Sequence, residues 1–283
     1  MSSIKIAVTG GCGFLGAATI AHANEVGHEA WRFDRCDGND ILGDLKLLQG
    51  ADHVIHLAGM LGTSELLDTP EEAVHANVIG AIRILQWCKE NNAGYTGITM
   101  PDSSWANVYQ ATKLCSNRLA TAWYKNFGVK VSHVRAFNAY GEGQKHGPEH
   151  PQKYLPTFAT LAWQGKPLPV WGNGLQTVDP VYSMDVARML VEATSYGHDE
   201  IFDAGTGVPV SVLAVAGFVN GVTGNLAGID FLPMRPGEEL ETRIVAKGEG
   251  WNTLGWKPDL NWAALRDTVE WYKPTRYTPK DLE

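Results

Sequence analysis

Apolar positions along the chain follow two periods. Short alternating runs read as strands: Ile4, Ile6 and Val8 first, then 28–33, 54–57, 95–100 and 129–134, with two shorter ones at 201–203 and 229–232. Between them, apolar residues recur at helical spacing. These segments predict helices over 14–25, 70–90 and 105–127, then 154–164, a start near Ser183 or Asp185, and 212–222. The last helix carries Leu265, Val269 and Tyr272 on one side. The 70–90 helix has its stripe at Val74, Val78, Ile82, Leu85 and Cys88, starts at Pro70, and leaves Asn77 facing another way. Ser103 or Ser104 is the expected cap of the 105–127 helix.

The turn after the first strand changes the picture. Gly11-Cys12-Gly13-Phe14-Leu15-Gly16 fits G-x-G-x-x-G, and Gly10, Gly13 and Gly16 also fit G-x-x-G-x-x-G. Glycines there let the chain turn sharply, let backbone N–H groups approach a pyrophosphate, and let the next helix pack closely. The phosphate is then favoured by the unpaired N–H groups and dipole at a helix N-terminus. Asp34 ends the second strand at the distance where such sites place a carboxylate for the adenosine ribose. A dinucleotide site is expected, and a carboxylate that repels a 2′-phosphate favours NAD over NADP, with Arg35 beside it. Asp44 is either a group set against the adenine or the cap of a short helical stretch.

Composition narrows the class. With 23 basic and 31 acidic residues the net charge is −8 and there is no basic run, so neither nucleic acid nor an anionic membrane is an expected partner. No apolar run approaches the ~20 residues of a bilayer span, and no signal peptide is expected. Cys12, Cys36, Cys88 and Cys115 lie far apart without C-x-x-C, which indicates neither a disulfide framework nor a zinc site and fits a cytoplasmic protein. No metal is expected either. His53 and His56 point to opposite faces of a strand, and His146 and His150 lack a nearby third ligand.

Tyr109 and Lys113 are four residues apart and share a helix face. A phenol near its ordinary pKa of ~10 is useless as a base. A neighbouring ammonium and a positive nicotinamide ring would favour phenolate.

In this order the motifs resemble the extended short-chain dehydrogenase/reductase family, in particular its nucleotide-sugar epimerases and dehydratases. The residues that carry the resemblance are TGGCGFLG, Asp34, HLAG, NVIG at 77–80, YQATK at 109–113, RAFNAYGEGQ, GNGLQTVDPVYSMDVA, RPGE at 235–238 and LGWKP at 254–258. The resemblance implies a doubly wound parallel Rossmann sheet with a smaller C-terminal α/β substrate lobe. Residues 1–140 and 174–204 would bind NAD, and 141–173 with 205–283 would bind substrate. It implies a catalytic set of Tyr109, Lys113 and a hydroxyl. Ungapped alignment of AGYTGITMPDS puts that hydroxyl at Ser103, with Thr99 and Ser104 as alternatives. The implied cofactor set is Gly10, Gly13, Phe14, Leu15, Gly16, Asp34, Arg35, Asp44, Leu45, Leu57, Ala58, Gly59 and Asn77, with Tyr109 and Lys113. The implied substrate contacts are Asn138, Arg235 and Ser64.

Two departures from the family stand out. The long loop before the catalytic tyrosine is nearly gone, which removes part of the wall over the sugar. Val178 stands where the family commonly has an arginine on the ligand's diphosphate, while Arg235 matches the other. The expected activity is NAD-dependent 4-epimerisation of a nucleotide sugar through a transient keto sugar. A dehydratase and a noncatalytic NAD-binding module are the alternatives. The family's dehydratases carry an Asp-Glu pair just after the catalytic hydroxyl, and here Ser104-Trp105 follows Ser103. A homodimer through the 70–90 and 105–127 helices is implied, with Ile82, Leu85, Leu114 and Trp123 serving either that face or the monomer core.

Overall fold

A computed structural model describes residues 2–101, 106–146, 150–240 and 243–274. Its first five strands are β1 (Lys5–Thr9), β2 (Glu29–Phe33), β3 (His53–His56), β4 (Gly94–Thr99) and β5 (Val131–Ala136). They pair in parallel in the order β5-β4-β3-β1-β2. The chain therefore leaves β1 toward one edge and returns to its other side at β3. Such a reversal opens a crevice at the carboxyl ends of the strands.

Both faces of the sheet are covered, as a parallel sheet requires. Successive side chains alternate between the packed layers on the two sides of the sheet core. Ile6, Val8, Ile55 and Val134 join one, while Ala7, Val54 and Val131 join the other. Helix α1 (Phe14–Glu25) covers the first face. The second is covered from a long helical segment, α2 (Pro70–Val74) running through a π turn at His75–Ile79 into α3 (Gly80–Asn91), and from α4 (Val108–Phe127).

Two sequence expectations are corrected here. The π turn accommodates an extra residue and rotates the following face. The core side of α3 is consequently Ala81, Ile84, Leu85 and Cys88, while Val74 is exposed and Val78 and Ile82 are only half-buried. Helix α4 starts three residues later than predicted because Asn107, not a serine, caps it; its Oδ1 accepts the Gln110 N–H at 2.9 Å. Ser103, Ser104 and Trp105 lie outside the described residues.

The rest of the chain weaves between the sheet and a second core. Strand β6 (Asn138–Tyr140) is followed by α5 (Tyr154–Trp163), β7 (Leu168–Trp171), β8 (Thr177–Val178) and β9 (Pro180–Tyr182). Helix α6 (Ser183–Ala193) packs beside α1, and β10 (His198–Ala204) adds a sixth parallel strand next to β5. Then come β11 (Val210–Ser211), α7 (Val212–Thr223), β12 (Ile229–Leu232), α8 (Trp251–Leu254) and α9 (Trp262–Trp271). Three small pairs form beside the main sheet: β6 with β9, β7 with β12, and β8 with β11. Leu155, Phe158, Val215, Val219, Leu265, Val269 and Tyr272 fill the second core among α5, α7 and α9.

Two fully buried carboxylates pin the chain where it crosses. Asp179 accepts from Thr206 N–H (2.8 Å), Thr206 O–H (2.6 Å), Gly207 N–H (3.0 Å) and Ala246 N–H (2.9 Å). Asp203 accepts from Arg135 at 2.8 Å and from the N–H groups of residues 247–249. Each buried charge is fully engaged, which is what makes its burial tolerable.

The expectation about cysteine is also corrected. Cys12 and Cys36 are joined in a disulfide, their Cα atoms 6.7 Å apart. They are 24 residues apart in sequence, but β1 and β2 are sheet neighbours, so the turns at their carboxyl ends meet. Cys88, buried, and Cys115, exposed, are free thiols.

Candidate active site

The glycine turn lies at the switch point between β1 and β3. Gly10 has φ +74°, and a Cβ there would stand 2.7 Å from the Ala58 nitrogen. At Gly16 a Cβ would collide with the Gly10 carbonyl. Gly13 caps α1 with backbone only and offers no side-chain hydrogen bond to the first turn. The first-turn N–H groups at Phe14 and Leu15 are thus left to face an anion. Beside them opens a cleft of about 250 Å³, lined by Gly10, Gly13, Asp34, Arg35, Leu57, Ala58 and Gly59 among others. A cradle that no side chain can enter, next to a carboxylate at the end of β2, fits a dinucleotide.

Asp34 is already oriented. Its Oδ2 accepts the Cys12 N–H at 3.0 Å and its Oδ1 the Cys36 N–H at 3.2 Å. Asp44 and Leu45 are not in the cleft lining; Asn39, Asp40, Ile41 and Leu42 occupy that wall instead. Asp44 is exposed, accepts the Lys46 N–H at 3.0 Å and pairs with the Lys46 ammonium at 2.9 Å. It caps no helix: the short turn Lys46–Leu48 has Leu45 at its start.

Asn77 sits in the π turn and is buried. Its Oδ1 accepts the Met60 N–H at 2.8 Å, and its amide donates to the Met60 carbonyl (3.1 Å) and to Thr112 Oγ1 (3.0 Å). One side chain therefore locks the loop after β3 to α4. The Ser116 hydroxyl adds a bond to the Asn77 carbonyl at 2.6 Å.

That lock fixes the helix that carries Tyr109 and Lys113. Lys113 is buried, and desolvation brings its ammonium down to about 8. Burial acts the other way on the Tyr109 phenol and pushes it up to about 12. The protein's own environment therefore disfavours both charged forms, and the phenolate expected from a neighbouring ammonium and a positive nicotinamide ring would have to be formed against that burial. His56 lies nearby, hydrogen-bonded to Thr9 Oγ1 at 2.7 Å, while His53 bonds Thr96 Oγ1 at 2.7 Å. Burial lowers each imidazole to about 3, with the charges of Lys113 and Lys130 adding to it at His56 and His53 respectively. The two imidazoles thus have separate hydroxyl partners. His146 is held by Thr160 at 2.8 Å and stacks edge-on against Tyr272.

The other end of the crevice is built from side chains. Arg235 pairs with Glu65 at 2.8 Å and with Glu238 at 3.4 Å. Ser64 donates to the Pro236 carbonyl at 2.7 Å, Thr63 to Glu238 at 2.7 Å, and Asn107 to the Gly237 carbonyl at 3.1 Å. The loop after β3, the start of α4 and the 235–238 segment are latched together in this way. Partial burial raises the Glu65 carboxyl, but the Gln152 N–H and Arg235 outweigh it and hold it below the usual range. The Lys153 ammonium is lowered, chiefly by burial, beside the same three charges. Asn138 uses its side-chain oxygen on the Asp179 N–H at 3.0 Å, across the β6–β9 pair. Val178 packs into the second core, and the neighbouring Thr177 bridges the backbone of Arg243. Glu65, Lys153 and Arg243 were not singled out from sequence, and no spacing rule marks them. Glu238 was present only as part of RPGE.

Fold and glycine turn together define a Rossmann-type dinucleotide-binding protein, with Tyr109 and Lys113 on the helix that Asn77 ties to the loop lining the cleft. A family model described as NAD dependent epimerase/dehydratase family matches residues 6–205. The chain belongs to that family. Its cofactor is NAD, and its relatives act on nucleotide sugars. It is 26% identical to dTDP-glucose 4,6-dehydratase of Salmonella typhimurium, over 95% of this chain and 92% of that one. Among solved structures it superposes on a UDP-glucose 4-epimerase with UDP-glucose from Thermotoga maritima, with TM-score 0.87, 20% identity and coverage of 97% and 100%. A UDP-glucose 4-epimerase complex with NAD from Thermus thermophilus gives TM-score 0.83 at 20% identity, covering 96% of this chain and 99% of that chain.

Proposed function

We propose that the protein is a nucleotide-sugar 4-epimerase in which Tyr109 is the base and Lys113 its electrostatic partner. The observation that carries this reading is the Tyr109/Lys113 pair on a helix locked by Asn77 to the loop beside the cleft. In the proposed complex the glycine turn and the α1 N-terminus hold the pyrophosphate, and Asp34 holds the adenosine ribose. Lys113 holds the nicotinamide ribose hydroxyls. When bound, NAD supplies a reversible acceptor for hydride and a positive ring charge. Tyr109 removes the proton from the sugar hydroxyl oxygen and returns it after the keto sugar has turned its other face. Ser103, outside the described residues, is the proposed hydroxyl that hydrogen-bonds that oxygen. Arg235 and Asn138 are proposed for the diphosphate, with Ser64 shaping the loop that carries Glu65.

Epimerisation is preferred to dehydration because the segment between Thr99 and Lys113 holds one carboxylate, Asp102, and so has no acid–base pair for expelling water. Dehydration remains the second reading, favoured by the Salmonella relative. The test is to incubate NAD-loaded protein with UDP-glucose and with dTDP-glucose and identify the product. A C4 epimer without net redox supports the proposal. A 4-keto-6-deoxy sugar, seen by its absorbance in alkali, selects the dehydratase. NAD binding without turnover of any nucleotide sugar would revive the noncatalytic reading.

We also propose the division of labour in which 1–140 with 174–204 serve the cofactor and 141–173 with 205–283 the substrate. The sixth sheet strand falls in the former, and the α5/α7/α9 core largely in the latter. For the homodimer, Leu85 is unsuitable because it is fully buried in the sheet core. The half-buried Ile82, Leu114 and Trp123 and the exposed Val74, Ile79 and Phe127 are among the apolar residues those helices still offer.

A further inference from the structure

The disulfide lies at a functional position. Cys12 stands between Gly11 and Gly13 in the phosphate turn, and Cys36 lies two residues beyond Asp34. The cross-link therefore ties the floor of the cofactor cleft to the wall that presents the ribose carboxylate. Asp34 is gripped at the same two points, by the backbone N–H of Cys12 at 3.0 Å and of Cys36 at 3.2 Å. Neither cysteine is in the cleft lining, so the cross-link braces the cleft without filling it. Cys36 is exposed and open to small thiols and disulfides, whereas Cys12 is half-buried behind it. Apart from the disulfide, the turn after β2 is held to the strand by the Arg32–Asp37 ion pair at 2.6 Å and by the Asp37 and Asn39 N–H groups on the Asp34 carbonyl, at 3.0 and 2.9 Å.

We propose that Cys12 and Cys36 form a reversible thiol–disulfide couple that sets how tightly the adenosine end of NAD is held, the disulfide form being the tighter binder. Oxidation uses a low-molecular-weight disulfide such as oxidised glutathione. The Cys36 thiolate attacks one of its sulfurs and expels one small thiolate. Cys12 thiolate then attacks the Cys36 sulfur of the mixed disulfide and expels the second. Two protein thiols lose two electrons, the small disulfide gains them, and the two thiol protons pass to the two leaving thiolates. In the dithiol form the turn that carries Asp34 must be ordered when NAD binds, and that ordering costs affinity. The disulfide has ordered it beforehand. Linkage makes the effect reciprocal: bound NAD must make the disulfide harder to reduce by the same factor.

The inference rests on the assignment of this cleft to NAD, and the experiment separates the two. The full chain is equilibrated in glutathione buffers from reducing to oxidising. Its cysteine pairing is mapped by alkylation and peptide mass, and the NAD Kd is measured at each poise. Expected are a Cys12–Cys36 link at the oxidising end and an NAD Kd lower there by roughly five- to tenfold. With saturating NAD, the midpoint should shift toward reducing poise by the same factor, a tenfold change being about 30 mV. Cys36→Ser should bind NAD with the reduced-form Kd at every poise. Absence of the link, an equal Kd in both forms, or weaker binding in the oxidised form overturns the clasp and leaves the NAD cleft standing. Failure of NAD to bind either form overturns both.

Discussion

At the cofactor end of the crevice the ligand-facing groups are mostly backbone: the glycine turn, the first N–H groups of α1, and the residues after β3. At the end we propose for the substrate they are side chains that already hold one another, with Arg235 between Glu65 and Glu238 and Lys153 alongside. The first arrangement presents uncapped backbone N–H groups to an anion before any ligand arrives. In the second, an anion approaching Arg235 would have to compete with two carboxylates for one guanidinium. The difference teaches that the cofactor end is specified by shape, and the substrate end by a balance of charge that single residues can tip.

The largest expected effect tests the chemistry set between the two ends. Tyr109→Phe should lower turnover by about a thousandfold or more while NAD affinity is retained, read by product formation against NAD titration. Near-normal turnover would remove Tyr109 from the mechanism. At the cofactor end, Gly10→Ala places a Cβ at φ +74° and 2.7 Å from the Ala58 nitrogen. It should cost about 2–4 kcal/mol of stability and abolish tight NAD binding, measured by thermal unfolding with and without NAD.

At the substrate end the effects should be smaller and of both signs. Arg235→Ala should weaken nucleotide diphosphate binding by about 1.5–3 kcal/mol, whereas Glu65→Gln, which frees the guanidinium of one competitor, should strengthen it roughly threefold. Calorimetry with UDP reads both. If neither variant changes the affinity, the ligand's charge is held elsewhere, and Arg243 beside Thr177 becomes the residue to change next.

An effect on stability alone, separate from binding and turnover, comes from the sheet beneath both ends. His53 and His56 go from 6.5 to about 3 on burial. Between those values the unfolded chain binds more protons than the folded one. Stability is therefore present above pH 6.5 and lost as pH falls through the window, by up to about 1.4 kcal/mol per pH unit per histidine. His53→Gln should flatten that slope in denaturant titrations at several pH values, and an unchanged slope would mean His53 is not buried neutral.

The legible parts of the molecule were those written in local sequence. The strand–glycine–helix order located the cofactor cleft, and the four-residue spacing of Tyr109 and Lys113 put them on one helix face. Asn77 was recognised as lying off its helix stripe, but its bonds to Met60 and Thr112 depend on where two other elements fall. The stripe itself was misplaced because a π turn shifts the phase of a helix by about one residue and leaves no mark in apolar spacing.

Periodicity and motif spacing by themselves determined the strands of the main sheet and the helices beside them, the glycine turn, the acid at Asp34 and the Tyr/Lys spacing, because each depends on residues close in sequence; the short strands β6–β9 and β11 and helix α8 were not foreseen. Only the tertiary structure decided that Glu65 meets Arg235 across 170 positions and that Cys12 meets Cys36. It alone placed Val178 in a core instead of at a ligand. Those contacts arise where a parallel sheet brings distant turns to one edge, and the free energy that selects them belongs to the packed whole, not to any segment of the chain.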